Sequence, residues 1–138
     1  MMFSILKFAV IFNTGGLLYA ALEIVFRGHT HWSMMIAGGI CAVCLYVIAV
    51  KSREPVWKKW IMGGAVITTV EFIAGIIVNI LLGWHVWSYS ASWANLCGQI
   101  CALFTLLWIL LCIPGIWLMQ VVGRRVFKDS IDMGGSRK

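Results

Sequence analysis

The chain has 138 residues, of which 62% are hydrophobic and 12% are charged, and its formal net charge is +6. Soluble domains contain roughly a quarter of charged residues, and a small domain buries only about two-thirds of its surface on folding. The composition therefore excludes a soluble globular domain and indicates an integral membrane protein.

Four apolar runs predict the transmembrane helices. Backbone groups in lipid must be hydrogen-bonded within the protein, so a spanning segment is either a helix or part of a closed barrel. The runs are about 20 residues long and lack the alternation of barrel strands. We predict a single, all-α membrane domain with helices over about 3–26, 33–50, 60–82 and 95–122, followed by a basic tail at 123–138.

The first predicted helix carries a face of small and polar residues. Asn13, Gly16, Ala20, Glu23 and Arg27 follow one another at steps of three and four, so they share one side of a helix. We expect this side to face the bundle and the apolar remainder to face lipid. Glu23 and Arg27 lie one turn apart, which leaves open a simple ion pair between them.

The second and third helices continue this pattern. Small residues share one face of the second helix, where they would allow close helix packing. On the third helix, Glu71 shares a face with Thr68, Gly75 and Asn79. Glu71 lies twelve residues past Lys59, or about 18 Å along a helix, which is near the middle of the bilayer core. An ionisable residue at that depth is costly, and its default interpretation is functional.

The loop at 83–94 has no Lys, Arg, Asp or Glu but contains three Trp residues and Tyr89. Aromatic residues of this kind settle at the level of the lipid headgroups, so the loop should lie on the membrane surface or fold over the bundle. Beyond the loop, Asn95 and Gln99 are expected at the start of the fourth helix.

The basic residues predict the topology. With four spans, ten of the eleven Lys and Arg residues fall on the side of the termini and the middle loop, and Arg27 alone falls on the other. This asymmetry predicts cytoplasmic N- and C-termini in a bacterial inner membrane. Because the basic clusters adjoin apolar spans, no nucleic-acid partner is predicted.

Two sequence matches predict an internal repeat. Gly15 and Gly16 precede Glu23 as Gly63 and Gly64 precede Glu71, at a shift of 48 residues. A second match relates 37–42 to 97–102. We predict two tandem, parallel helical hairpins, about 3–50 and 60–122, related by a pseudo-twofold axis along the membrane normal. The two Glu residues could then face each other.

The candidate ligand-binding residues are polar or aromatic side chains in or near the helices: Glu71, Glu23, Asn79, Gln99, Asn95, Arg27, Tyr89 and Trp87. The two carboxylates would suit a cation, a proton or an amine. For each amide, an ordinary interhelical hydrogen bond is the alternative.

Other chemistries are less well supported. Three His residues, His29, His31 and His85, could hold zinc, but the outer loops lack a carboxylate, so no metal and no cofactor are predicted. Cys41 and Cys44 have a redox spacing, but the outer loops lack a second thiol pair, and Cys often serves as a small packing residue. No nucleotide-binding or hydrolase motif is present, so an enzyme is not predicted.

Several stretches between residues 15 and 110 have distinctive sequences: 27–34, 38–41, 71–79, 86–90 and 95–101. Together they resemble the type IV ABC-transporter permease (CmpB-like) family of bacterial membrane proteins. The resemblance implies a role in transport. The family pattern has Asp where this chain has Ser88, so any role of that Asp is in doubt here.

The predicted function is a permease-like or transporter-associated membrane component that binds a small polar or cationic ligand between its two repeats. The alternative is a non-transporting accessory protein whose polar helix faces bind a partner's transmembrane helix or lipid. Four helices enclose little space, so the expected partners are membrane lipids and either further copies of the chain or a larger membrane complex.

Overall fold

The computed structural model describes residues 2–131, and these form four long helices. They are α1 (Met2–Arg27), α2 (Trp32–Lys51), α3 (Val56–Gly75), which continues as a π-helical segment at Ile76–Leu81, and α4 (Ala102–Arg125). All four are long and apolar enough to cross a membrane. The predicted all-α membrane fold is confirmed, and the chain is a multi-pass membrane protein.

The fourth helix begins later than the sequence predicts, at Ala102 and not near Asn95. Residues 95–101 instead form a short antiparallel hairpin of β1 (Asn95–Leu96) and β2 (Ile100–Cys101). At its tip, Cys97 and Gly98 have φ angles of 53° and 68°. This left-handed conformation belongs to tight hairpin turns and cannot continue a right-handed helix. The prediction was wrong because the Asn95 side chain accepts from the Gly98 N–H and closes a turn that interrupts the apolar run.

Helix α2 is the centre of the bundle. It packs against each of the other three helices. In its most apolar, membrane-spanning stretch 56% of the residues are buried within the protein, compared with 22% for α1 and 11% for α4. Helix α1 packs mainly against α2, and α4 packs against α3 and α2. As a result, α1 and α4 flank α2 and remain largely separate from each other.

Glycine pairs allow the two hairpins to close. A Cβ atom on Gly16 would lie 2.5 Å from the Met35 carbonyl oxygen of α2, and a Cβ on Gly64 would collide with Ile109 of α4. In each hairpin, the first helix therefore uses a glycine to approach the second closely, as small residues do in membrane bundles. The two hairpins pack alike, while the duplication of their sequences remains a prediction.

The two ends of the bundle are built differently. The termini end comprises the start of α1, the loop at 52–55 and the segment after α4. The loop end comprises the loops at 28–31 and 82–101. At the termini end, the carboxylate of Asp129 bonds both the Lys7 ammonium and the Tyr46 hydroxyl. Asn13, which was expected to face the bundle, is exposed, and its amide donates to the Ala9 carbonyl one turn earlier; that prediction was wrong.

Candidate functional site

Glu71 is buried in α3, with only 4% of its surface exposed. Its carboxylate accepts a hydrogen bond from the Trp108 indole Nε1 of α4 at 2.9 Å and one from the Tyr89 hydroxyl at 3.3 Å. The two donors come from two different elements, one helix and one loop. A buried carboxylate needs such partners, because an unpaired one in an apolar environment is strongly disfavoured.

Glu23 is buried near the end of α1, with 8% of its surface exposed. Its carboxylate lies 3.5 Å from the Arg27 guanidinium and accepts a hydrogen bond of 2.8 Å from the Thr30 hydroxyl. Thr30 reaches back to Glu23 because Gly28 ends the helix with a φ of 78°, the left-handed turn that commonly follows a helix. The ion pair that the spacing left open is therefore present.

Arg27 and Tyr89 connect the two carboxylates. The Arg27 Nη2 donates to the Tyr89 hydroxyl at 3.1 Å, and the same hydroxyl donates to Glu71. Burial raises the pKa of Tyr89, and the nearby Glu71 carboxylate raises it further, so the hydroxyl stays protonated and can act as donor. We call the connected set Glu23, Arg27, Tyr89, Glu71 and Trp108 the carboxylate network.

The charges of this network do not balance. Within residues 2–131, Arg27 is the one cationic side chain that bonds either carboxylate. When both carboxylates are ionised, the single guanidinium leaves one negative charge in excess, and a proton on either carboxylate removes that excess. In a region shielded from water, electrostatic interactions are much stronger than at an exposed surface. The arrangement can therefore hold a proton or a cation.

The amides of Asn79 and Gln99 hold the aromatic loop in place. The Asn79 Nδ2 donates to the Trp87 carbonyl at 3.0 Å and to the Gln99 Oε1 at 2.8 Å, and its Oδ1 accepts from the Val86 N–H at 2.7 Å. The Trp87 indole donates to the Gln99 carbonyl at 3.1 Å. Gly75 leaves room for Gln99, since a Cβ there would lie 2.5 Å from its Oε1. We call Asn79, Trp87 and Gln99 the loop lock.

Asn95 lies apart from both groups. Its side chain is exposed, its Nδ2 donates to the Ser92 carbonyl at 2.9 Å, and its Oδ1 accepts from the Gly98 N–H at 3.1 Å. These bonds stabilise the hairpin turn. Of the eight predicted ligand residues, four belong to the carboxylate network, three form the loop lock and Asn95 shapes the turn.

A cavity of about 330 Å³ lies beside the network, between α1 and α4. Glu23, Arg27 and Trp108 contribute its polar atoms together with Tyr19, and the remaining lining is apolar: Leu22, Phe26, Phe104, Leu107 and Leu111. This volume falls within the usual range for small-molecule sites, which are mostly apolar with a few placed polar groups.

Two lining residues were not singled out from the sequence. Trp108 donates to Glu71, and Tyr19 lies with its ring centroid 6.1 Å from that of Trp108. Both come from the middle of apolar spans. A signal for Trp108 did exist, because a buried indole N–H usually needs an acceptor, and Glu71 is a buried acceptor in the adjacent helix.

Residues 7–133 match the family model described as "Putative ABC-transporter type IV". The match includes every residue of the carboxylate network and of the loop lock. No curated protein matches the chain, and no solved structure matches it.

Proposed function

Because the chain belongs to this ABC-transporter type IV family, we propose that it is a permease-like membrane component of a transporter. We further propose that it binds a small polar or cationic ligand at the carboxylate network between its two hairpins. The family match supports the first part at the level of an ABC-transporter-associated membrane protein. The second part rests on the geometry of the network.

The observation that carries the proposal is that the network contains two buried carboxylates but one guanidinium. Glu23 and Glu71 are both buried; Glu23 pairs with the Arg27 guanidinium, and Glu71 is linked to it through the Tyr89 hydroxyl. Ionisable groups within membrane spans are rare, and they commonly mark substrate or ion pathways. A purely structural role would be served by one carboxylate for one guanidinium. The second carboxylate is the feature that a cationic ligand would explain.

The proposal can be tested with choline chloride as the probe and sodium chloride at equal ionic strength as the control. We expect choline to raise the melting temperature of the chain in nanodiscs, since a ligand that binds only the folded state stabilises it by about 2.7 kcal/mol at a hundred times its Kd. Glu71→Gln should abolish this response. Unchanged choline stabilisation in Glu71→Gln, or none in the wild type, would contradict the proposal.

Glu54→Gln is the matched control for this experiment. Glu54 forms an exposed ion pair with Lys58 at 2.9 Å, at the termini end. Its replacement also removes one carboxylate but leaves the network intact. We expect the choline response of this variant to equal that of the wild type.

A second candidate function is an accessory protein that binds a partner's transmembrane helix or lipid through its helix faces. The observation that favours it is the low burial of α4, in which 11% of the residues of the membrane-spanning stretch are buried within the protein. A further copy of the chain or another membrane protein could cover that face. Native mass spectrometry from nanodiscs distinguishes the two, because a self-contained ligand-binding protein requires no heterologous partner.

We also propose that the loop end faces the outside of a bacterial inner membrane and that both termini are cytoplasmic, as the basic residues indicate. Cys97 is exposed in the loop, whereas Cys41, Cys101 and Cys112 are buried. A membrane-impermeant maleimide should therefore label right-side-out vesicles, and Cys97→Ser should abolish the labelling. Labelling of Cys97 in inside-out vesicles alone would reverse the topology.

A further inference from the structure

We propose that the ligand is a cationic amphiphile whose ammonium head binds the carboxylate network and whose alkyl tail lies in the groove between α1 and α4. This inference rests on the proposed function and specifies its substrate class. It predicts that the ligand reaches the site sideways from the bilayer and does not have to pass through the aromatic loop.

The groove is a consequence of the helix arrangement. Helix α1 packs on α2, and α4 packs on α3 and α2, so a gap remains between α1 and α4. The cavity of about 330 Å³ beside the network is followed by a second of about 270 Å³, and both are lined by Tyr19, Leu22, Trp108 and Leu111. Gly38, Cys41 and Ala42 of α2 contribute to the second cavity. The two cavities thus follow one groove with α2 beneath it.

The groove has the character of an amphiphile site. Its charged lining residues, Glu23 and Arg27, belong to the first cavity, whereas the second has neither. Leu22, Leu107 and Leu111 on its rims are 41%, 43% and 41% exposed. In a spanning bundle such residues face hydrocarbon, so the groove opens to lipid and offers a charged head site joined to an apolar channel.

The charge of the network selects the head. Glu23 lines the head site, and Glu71 lies behind the lining residue Trp108, which donates to it. A cationic head beside Glu23 would offset the charge of the second carboxylate, whereas an anionic head would be repelled by both. The tail adds little selectivity, because lipid tails are as apolar as the leucines that line the groove. Occupancy should therefore depend on head charge when the tail is held constant.

The test uses a long-chain alkyltrimethylammonium with a photoreactive diazirine in its tail, in phosphatidylcholine nanodiscs. A probe with the same tail on an uncharged alcohol head is the comparison. We expect mass spectrometry to locate label on Leu22, Leu107 and Leu111, about tenfold more with the ammonium than with the alcohol, as one unbalanced charge in a partly buried site would produce. Glu71→Gln should remove the difference.

A second variant keeps the test independent of the network. Leu118→Trp fills the second cavity, which Leu118 lines without lining the first, and should abolish label at Leu111 while leaving stabilisation by choline unchanged. Leu110→Trp is its control, because Leu110 is similarly exposed at 50% on the same helix but does not line the groove. This control should label as the wild type does.

The outcomes separate this inference from the proposed function. Equal labelling by the two probes, or labelling spread evenly over lipid-facing positions such as Ile36 and Ile40, overturns the amphiphile inference. Stabilisation by choline without groove labelling overturns the amphiphile inference and leaves the proposed function standing. Absence of both responses overturns both. Stabilisation by choline together with labelling of the groove that depends on Glu71 supports both, whereas such labelling without any choline response overturns the proposed function and the inference that rests on it.

Discussion

The two ends of the bundle handle buried charge in opposite ways. At the termini end, Lys7 meets Asp129 at 2.9 Å, one cation for one anion. At the loop end, Arg27 is shared between Glu23 and Glu71 through the Tyr89 hydroxyl. The first arrangement has a cation in direct contact with its carboxylate, and the second has two carboxylates for one guanidinium. The difference separates a polar cluster that needs no ligand from one that a cation would complete.

Packing follows the same division. The main core contains Tyr46 and Ile116, each with none of its surface exposed, and Phe127 packs against it from beyond α4. The Lys7 ammonium lies 5.5 Å from the Tyr46 ring centroid, within reach of a cation–π contact. At the loop end, a cavity adjoins the polar network. We infer that the termini end contributes stability alone, whereas the loop end combines the stabilising loop lock with a cavity that is available for binding.

Asn79→Ala should have the largest effect on stability, because it removes the central side chain of the loop lock. The change leaves the Val86 N–H, the Trp87 carbonyl and the Gln99 amide oxygen without their Asn79 partner. Each buried polar group that loses its partner costs about 1–3 kcal/mol. We expect a loss of about 3 kcal/mol in the free energy of unfolding and release of the loop, measured by thermal unfolding and by increased maleimide labelling of Cys101, which is buried in the intact structure.

The matched control for this prediction is Asn13→Ala. Asn13 is exposed, and its amide bonds the Ala9 carbonyl of its own helix, so its loss should change stability by no more than about 0.5 kcal/mol. If the two variants were equally stable, the loop lock would not hold the loop.

Asp129→Asn tests the termini end and should have an intermediate effect. Burial alone would raise the pKa of Asp129, but the hydrogen bonds from Tyr46 and Lys7 outweigh it and lower the pKa below its usual 3.8. Its ionised form therefore stabilises the fold above that value, and this contribution is lost as the pH falls through the lowered pKa of the folded state. At pH 7 we expect Asp129→Asn to cost about 1–2 kcal/mol, because it weakens a partly buried charged hydrogen bond.

The pH dependence of that cost is the decisive measurement. The stability difference between wild type and Asp129→Asn should be constant from pH 7 to about pH 5 and should shrink below about pH 4. Comparison of the two proteins at each pH removes the contribution of the other carboxylates. A difference that does not change with pH would show that the Asp129 charge is not the source of the stabilisation.

The charged residues at the loop end were predictable from the sequence, because a charged residue in an apolar helix is easy to recognise. Glu23, Arg27 and Glu71 are charged residues within apolar helices, and hydrophobic periodicity locates such residues directly. The partnership of Glu71 with Trp108 was not predictable in this way, because it spans 37 residues and depends on how α3 and α4 pack. The same limit applied to Asp129, whose contact with Lys7 crosses 122 residues.

The loop shows a second limit. Its lack of charged residues indicated contact with lipid or with the bundle, and Trp87 and Tyr89 are indeed 6% and 5% exposed. The sequence suggested that Asn79 and Gln99 would line a ligand pocket. In the structure their hydrogen bonds hold the loop, because the amides of these side chains can pair with each other and with the loop backbone. Residue type alone does not distinguish an amide that binds a ligand from one that satisfies backbone groups.

A pair of Tyr→Phe variants should have the smallest effect on stability. This pair also compares the two ends of the bundle most directly. Tyr89→Phe removes the hydroxyl between Arg27 and Glu71, whereas its ring still packs on Phe104 with centroids 4.8 Å apart. Tyr46→Phe removes the hydroxyl that donates to Asp129. Each should cost about 1 kcal/mol of stability. Only Tyr89→Phe should weaken binding of choline, by about fivefold, because Trp108 still holds Glu71 but Arg27 is no longer tied to it. Equal binding of choline by both variants would show that the hydroxyl at the loop end is structural, as it is at the termini end.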